Sequence, residues 1–206
     1  MNTLLHPTYF PNVAHFVSMI HAENLLFEVH DNYQKQTYRN RTYVYGANGK
    51  LPLSVPVVYS QKNRQLYRDI KIFNGSKWQA LHWKSLQSAY RTSPFFEYYE
   101  DELASLFFTK QEFLLDFNFK CLEVTFEGLQ LNLDYKTTSA FEIEPSNCLD
   151  LRHLANARKE KEHQFEPYTQ VFSNKHGYIN NLSILDLLCN EGTNTVPYLQ
   201  SQKISL

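Results

Sequence analysis

The sequence contains no G-x-S-x-G, no G-x-x-x-x-G-K-[ST], no G-x-G-x-x-G and no H-E-x-x-H. It therefore offers no nucleophile elbow, no phosphate-cradling P-loop, no standard dinucleotide fingerprint and no zincin helix. Cysteine is scarce: Cys121, Cys148 and Cys189 are odd in number, widely spaced and without a CxxC. This argues against a disulfide framework or a zinc site, and the three read as small core hydrophobes. The eight histidines show no ligand spacing, so no metal is expected. No run of about 18 apolar residues is present, which predicts no membrane insertion. The start, MNTLLHPTYF, lacks a cationic n-region and an apolar h-region, so a cytoplasmic location is expected. Charge of one sign is also missing: 20 basic residues meet 21 acidic ones, and a net charge of -1 gives no global attraction to nucleic acid. With no Gly/Ser/Pro linker or composition break, residues 1–206 are expected to form a single domain.

What the chain does have is rings. Fifteen phenylalanines and 14 tyrosines within a hydrophobic share of 43% supply a packed interior whose polar ring edges want partners. Thr3 to Leu5 reads as a strand. After the His6-Pro7 turn, Pro11 opens a helix on which Val13, Phe16, Val17 and Ile20 recur at helical spacing. Asn24 is expected to stop that helix, and LLFEV reads as a second buried strand, completing a β-α-β unit. Strands at Thr42 to Tyr45 and Leu51 to Val58 flank Gly46-Ala47-Asn48-Gly49 as a hairpin, with Pro52 and Pro56 marking an edge or bulge. A short strand at Ile70 to Phe73 precedes Ser76 and Gln79, whose capping-box spacing predicts a helix from Lys77 to about Arg91. Ser93-Pro94 predicts a second capped helix, and Lys110 to about Phe126 a third, apolar on two stripes and so interior. Lys136 to Phe141 reads as a strand, Asp150 to Glu166 as a solvated helix or surface loop, and Asn180 to Asn190 as a helix closed by Gly192. The expected class is α/β, with a mainly parallel Rossmann-like sheet, an added β-hairpin and a helical C-terminal half; α+β is the alternative.

The most polar stretch is NYQKQTYRNR, residues 32–41, set between two apolar runs. If extended, it places Lys35, Thr37, Arg39 and Arg41 on one face and Gln34, Gln36, Tyr38 and Asn40 on the other. Guanidinium forks suit phosphate or carboxylate, and amides orient sugars, so a pocket wall is one reading and a charge-protected edge strand the other. His6, Tyr9 and Pro11 stand where a strand hands over to a helix, the place where open α/β sheets bind ligands and where helix-terminal amides attract anions. On the Ser76 helix, Lys84 and Tyr90 are within reach of a ligand, while Trp78 and Trp83 read as packing residues. Asp186, between leucines in the last helix, is either the capping partner of Ser183 or a carboxylate that meets Arg39 or Arg41, or acts as a base. Gln170 is a further polar residue in an aromatic setting.

Taken in order, several stretches resemble the WbqC-like family of bacterial proteins: PTYFP at 7–11, NYQKQTYRNR at 32–41, LPLSVPV at 51–57, WQALHWKSLQSAYRTSPFFEYY at 78–99, PYTQVF at 167–172 and NLSILDLLCNEG at 181–192. Many members carry His-Gln before the first proline, where this chain has Leu5-His6. The resemblance implies amide-forming acyl or aminoacyl transfer to an amino sugar of a surface polysaccharide, O-antigen or capsule, with a sugar or nucleotide-sugar as the ligand. On that expectation His6 and Asp186 are the catalytic candidates, and Tyr9, Gln34, Gln36, Arg39, Asn40, Arg41, Lys84, Tyr90 and Gln170 the substrate-binding ones. A non-catalytic scaffold for glycan precursors stays open. So does adenylate-forming ligation, because the β-α-β opening is similar in architecture to adenylate-forming proteins although their H-x-G-H is absent. No motif specifies a cofactor, and the aromatic surface leaves a homodimer open.

Overall fold

The structure, a computed structural model, describes residues 2–60 and 64–205. The β-α-β opening forms as the periodicity requires: β1 (Asn2–Leu5), α1 (Val13–Ile20) and β2 (Asn24–Phe27), with the two strands parallel from Asn2↔Asn24 to Leu5↔Phe27. Asn24 begins the strand instead of ending the helix, which closes on His21. The hairpin is β3 (Arg41–Gly46) and β4 (Gly49–Ser54), antiparallel and in register from Arg41↔Ser54 to Gly46↔Gly49. The expected Leu51–Val58 strand breaks at Val55-Pro56. Val57–Val58 forms β5, which pairs with β6 (Lys71–Ile72).

Three helices follow: α2 (Trp78–Tyr90), α3 (Phe96–Phe108) and α4 (Leu114–Gly128). Neither expected side-chain cap forms. Ser76 does not cap α2, and the Gln79 amide donates to the Thr109 carbonyl at 2.7 Å and to Leu106, closing the far end of α3. Ser93 donates to the Tyr90 carbonyl at 2.6 Å, so it finishes α2 instead of starting α3. In each case the side chain donates to a carbonyl instead of accepting from a helix-start amide, Gln79 across to α3 and Ser93 back to the last turn of α2. The interior assignment of α4 holds: Leu114, Phe117, Cys121, Leu115, Leu122 and Phe126 are buried. Each such side chain contributes on the order of 1.5–3 kcal/mol.

The sheet is completed late, by β7 (Tyr135–Thr137) and β8 (Cys148–Asp150), giving the order β7-β2-β1-β8 with every pair parallel. β8 ends on Asp150, the first residue of the segment that charge density marks as helix or loop. The chain ends with the short α5 (Ser173–His176), then α6 (Ile184–Glu191) and α7 (Thr195–Ser201). The fold is α/β, with a four-stranded parallel sheet, antiparallel hairpins and packed helices. Two cores form. One gathers Tyr9, Phe10, Val44, Tyr67 and the inner faces of α2–α4; the other packs Leu5, Leu25 and Phe27 against Phe16, Val17, Leu122 and Phe126. Tyr99 and Phe119 lean on both.

Gly192 closes α6 as the sequence predicts. Its φ is +54°, and a Cβ there would stand 2.5 Å from Phe95 Cδ1. Gly192→Ala is therefore expected to lower stability by about 1–3 kcal/mol, visible as a lower urea midpoint at unchanged m-value. An unchanged midpoint would mean that the helix end is not held in this conformation.

Alternation along the strands decides what faces where. Leu5 and Phe27 point into the core under α1, so Leu4 and Leu26 point to the other face, as do His6 and Glu28 beyond the strand ends. Leu151 is a core residue, so Arg152 after it turns to the face of Leu4 and His6. All-parallel sheets are normally covered on both faces by helices. Here the second face is bordered by the irregular segment 138–147, whose Phe141 and Ile143 are 42% and 81% exposed.

A polar candidate site at the carboxyl ends of the parallel strands

A cavity of about 290 Å³ opens where β1, β2 and β8 end, lined by His6, Asp31, Gln34, Thr37, Arg39, Phe141, Asp150, Arg152, His153, Ala155 and Asn156. From β1 the chain crosses to β2 on one side, whereas β8 arrives on the other, which is the topological switch point where open α/β sheets bind ligands. The volume is at the lower end of ligand pockets, about 300 Å³.

The decapeptide reaches this cavity by turning, not by extending. Thr37 Oγ1 donates to the Gln34 carbonyl at 2.8 Å, and Gln36 takes φ +61° between them. The two-faced strip expected of an extended strand is therefore not made. Lys35 rests over the Tyr59 ring, and Asn40 donates to the Val55 carbonyl at 2.9 Å. Arg39 instead runs inward and is only 2% exposed. Its Nη2 donates to Asp31 Oδ2 at 2.6 Å and to His6 Nε2 at 2.7 Å, and its guanidinium lies 5.5 Å from the Tyr67 ring centre. The backbone of Arg39 is fixed as well, because Asn118 donates to its carbonyl at 2.6 Å and also bonds Tyr67 Oη.

A guanidinium can only donate, so His6 Nε2 presents its lone pair and Nδ1 carries the proton. Burial, then the positive charge of Arg39, hold the His6 pKa down at about 4 against the pull of Asp31. His6 is accordingly a neutral imidazole at pH 7. Burial pushes the Asp31 carboxyl up, but the Arg39 charge beside it and the Asn32 amide that donates to it pull its pKa below the usual value. On the far wall Arg152 makes a two-armed bond to Asp150, Nε–Oδ1 2.9 Å and Nη2–Oδ2 2.7 Å. It also donates to the carbonyls of Glu142 and Ile143 and lies 5.2 Å from the Phe141 ring centre.

Of the residues singled out in the sequence, His6, Gln34 and Arg39 line this cavity together. Tyr9 does not line it: it is a fully buried core residue with its Oη 2.9 Å from His82 Nδ1. Asn40 and Arg41 lead into β3, and Lys84 is exposed on α2. Asp186 meets neither Arg39 nor Arg41, and it does not complete a capping box: Ser183 alone caps α6, accepting from Leu185 N at 3.3 Å. The Asp186 carboxylate accepts from Tyr168 at 2.7 Å and from Gln170 at 2.9 Å, in a buried cluster beside Tyr90, whose hydroxyl accepts from Tyr45 N. Burial raises the Asp186 pKa to about 6. The start of α1 is not an anion site. Val13 N donates to the Leu182 carbonyl, Ala14 N to Asn181 Oδ1 and His15 N to Asn12 Oδ1, so its first amides are spent within the protein.

Sequence reasoning missed Asp31, Phe141, Asp150, Arg152, His153 and Asn156. One signal was present: in CLDLRH, Leu149 and Leu151 alternate with Asp150 and Arg152, the period of a strand inside a charged segment.

A four-stranded parallel sheet with a polar pocket at its switch point places the chain among open α/β proteins. A family model, the WbqC-like protein family, matches residues 6–164, and the chain belongs to that family. No curated protein and no solved structure matches it. Among the described residues, no group of histidine, cysteine and acidic side chains is arranged to hold a metal ion, and no helix is long and apolar enough to cross a membrane.

Proposed function

We propose that this WbqC-like chain acts as one domain that binds a phosphorylated or nucleotide-linked amino sugar and forms an amide on it during surface-polysaccharide synthesis. The observation that carries the reading is the shared Arg39 Nη2, which holds His6 Nε2 and Asp31 Oδ2 at the mouth of one cavity. In the free protein the His6 lone pair is occupied. An anionic ligand group that draws the guanidinium to itself frees Nε2 and removes the charge that depresses its pKa. His6 then takes the proton from the sugar amine as its nitrogen bonds to the acyl carbon. The bond from that carbon to the leaving group of an activated acyl donor breaks, and its electron pair leaves with that group. Asp31, 3.3 Å from Nε2, stabilises the imidazolium. Gln34, Asn156 and the Phe141 ring supply amide and aromatic contacts of the kind sugars use.

A second reading, a binding protein without catalysis, is favoured by one feature: Arg39 and Arg152 are both already paired with carboxylates of the same cavity. Product formation separates the two. Adenylate-forming ligation has no support in the start of α1, whose first amides are occupied.

Glucosamine 1-phosphate and UDP-glucosamine are the probes. At about a hundred times its Kd a ligand adds about 2.7 kcal/mol and raises Tm by roughly 5–10 °C. Gln34→Ala, at an exposed position of the lining, is expected to abolish the shift while leaving the ligand-free Tm in place. No shift across a panel of amino-sugar phosphates and nucleotide-linked amino sugars would overturn the proposal.

A further inference from the structure

Between the Leu4 and Leu26 face of the sheet and segment 138–147 lies a second cavity, of about 270 Å³. Its floor is Leu4 and Leu26, register partners on β1 and β2. Thr137, Cys148, Glu28 and Glu142 are among its lining residues, and no lysine, arginine or histidine is. The contrast with the first cavity is chemical: that one mixes two arginines with two aspartates, whereas this one is an apolar floor under acidic groups. Beside Glu142 a cation is favoured over an anion, and an aliphatic body finds Leu4 and Leu26. Glu28 shares Arg152 at 3.7 Å, so Glu142 is the carboxylate placed to meet a ligand charge.

The two cavities share a wall. Phe141 lines the first and Glu142 the second, and Arg152 ties that stretch down by bonding the carbonyls of Glu142 and Ile143 at 2.8 and 3.1 Å. A group seated in one therefore lies across a single pair of residues from a group seated in the other. We propose that the second cavity is a subsite for a short aliphatic amine of the aminoacyl type, with its branched body on Leu4 and Leu26 and its ammonium at Glu142. Its role as the donor side of amide formation rests on the reading above; the binding itself does not.

Cys148 provides the test, since it is half-buried at the edge of this cavity while Cys121 and Cys189 are fully buried. Iodoacetamide is expected to alkylate Cys148 selectively, as followed by intact mass. Valinamide, a cation, at about ten times its Kd slows that alkylation about tenfold. Neutral isovaleramide protects less at the same concentration, and anionic isovalerate does not protect. Glu142→Gln, in an exposed segment outside both cores, brings valinamide down to the level of isovaleramide. Equal protection by all three compounds, no protection by valinamide, or an undiminished valinamide effect in Glu142→Gln would each overturn the subsite. If valinamide protects but no amino-sugar phosphate shifts Tm, the subsite stands and the sugar-acceptor reading falls; the reverse pattern removes the subsite alone.

Discussion

Stability is expected to fall by about 5 kcal/mol between pH 6 and pH 4, the result of two protons' difference at about 1.36 kcal/mol per proton per pH unit over two units. Four histidines are buried and held toward the neutral ring, His163 among them, and the three with the largest shifts set the count. Burial and then the Arg39 charge set His6 at about 4, burial and then neighbouring histidines set His15 at about 3, and burial sets His82 at about 4, all from 6.5. Each group with a lowered folded pKa lends stability that is present above pH 6.5 and lost as pH falls toward the folded value, because the unfolded chain takes up a proton that the folded one refuses. Asp186 has the opposite sign. Burial raises its pKa from 3.8 to about 6, so its contribution is present below 3.8 and lost as pH rises through 6. Three protons favouring the unfolded state, less one favouring the folded state, leave the net two. Because domains are stable by about 5–15 kcal/mol, the loss is enough to bring unfolding within reach of mild acid. Urea titrations at fixed ionic strength across pH 4–7 measure it. Asp186→Asn should steepen the slope toward three protons, about 4 kcal/mol per pH unit, and His15→Gln should flatten it by one. A stability flat from pH 6.5 to 4 would show that these rings are not held neutral.

Much of this arrangement is written locally in the chain, and what is not local is what the sequence hides. The opening β-α-β and the amphipathic α1 follow from a clean period of 3.6 bounded by strands. The hairpin follows from its turn, and the buried α4 from two apolar stripes. The caps fail because Ser93 and Gln79 have side chains that serve either end of a helix equally, and only the packing of α2 on α3 decides which. β8 is hidden because three residues of strand carry too little pattern, and it is held only by pairing with β1 from 146 positions away in register, Asn2 to Cys148. The site divides along the same line. His6, Gln34 and Arg39 are legible as donors and a lone pair near the first strand, whereas Asp150 and Arg152 become site residues only once β8 docks beside β1. The misplaced partnership of Asp186 has the same cause. A carboxylate among leucines signals a buried partner, but nothing in its own helix says that Tyr168 and Gln170 supply it.

Replacing Arg39 tests the centre of the site most severely. Arg39→Met is expected to cost about 3–5 kcal/mol, the usual penalty for stranding one member of a buried ion pair, because Asp31 then faces a neutral ring with no cation beside it. Asp31→Asn strands the guanidinium instead and should cost a similar amount, since the Tyr67 ring at 5.5 Å is a weaker partner than a carboxylate at 2.6 Å. In the double variant no buried charge is left unmatched. Its loss should fall short of the sum of the single losses by about 2–3 kcal/mol, the coupling of a close charged pair. The cycle alone could reflect packing, so His6 supplies the second measurement. With Arg39 gone, a charge that lowers its pKa disappears while Asp31, which raises it, remains, and the ring should titrate above 4 in Arg39→Met and stay low in Asp31→Asn. Histidine ring resonances followed against pH decide between them. Strict additivity of the two substitutions, with a His6 titration that does not move in Arg39→Met, would show that the guanidinium does not hold the imidazole and the carboxylate in one electrostatic unit. His6, Asp31 and Arg39 would then line the cavity as independent groups.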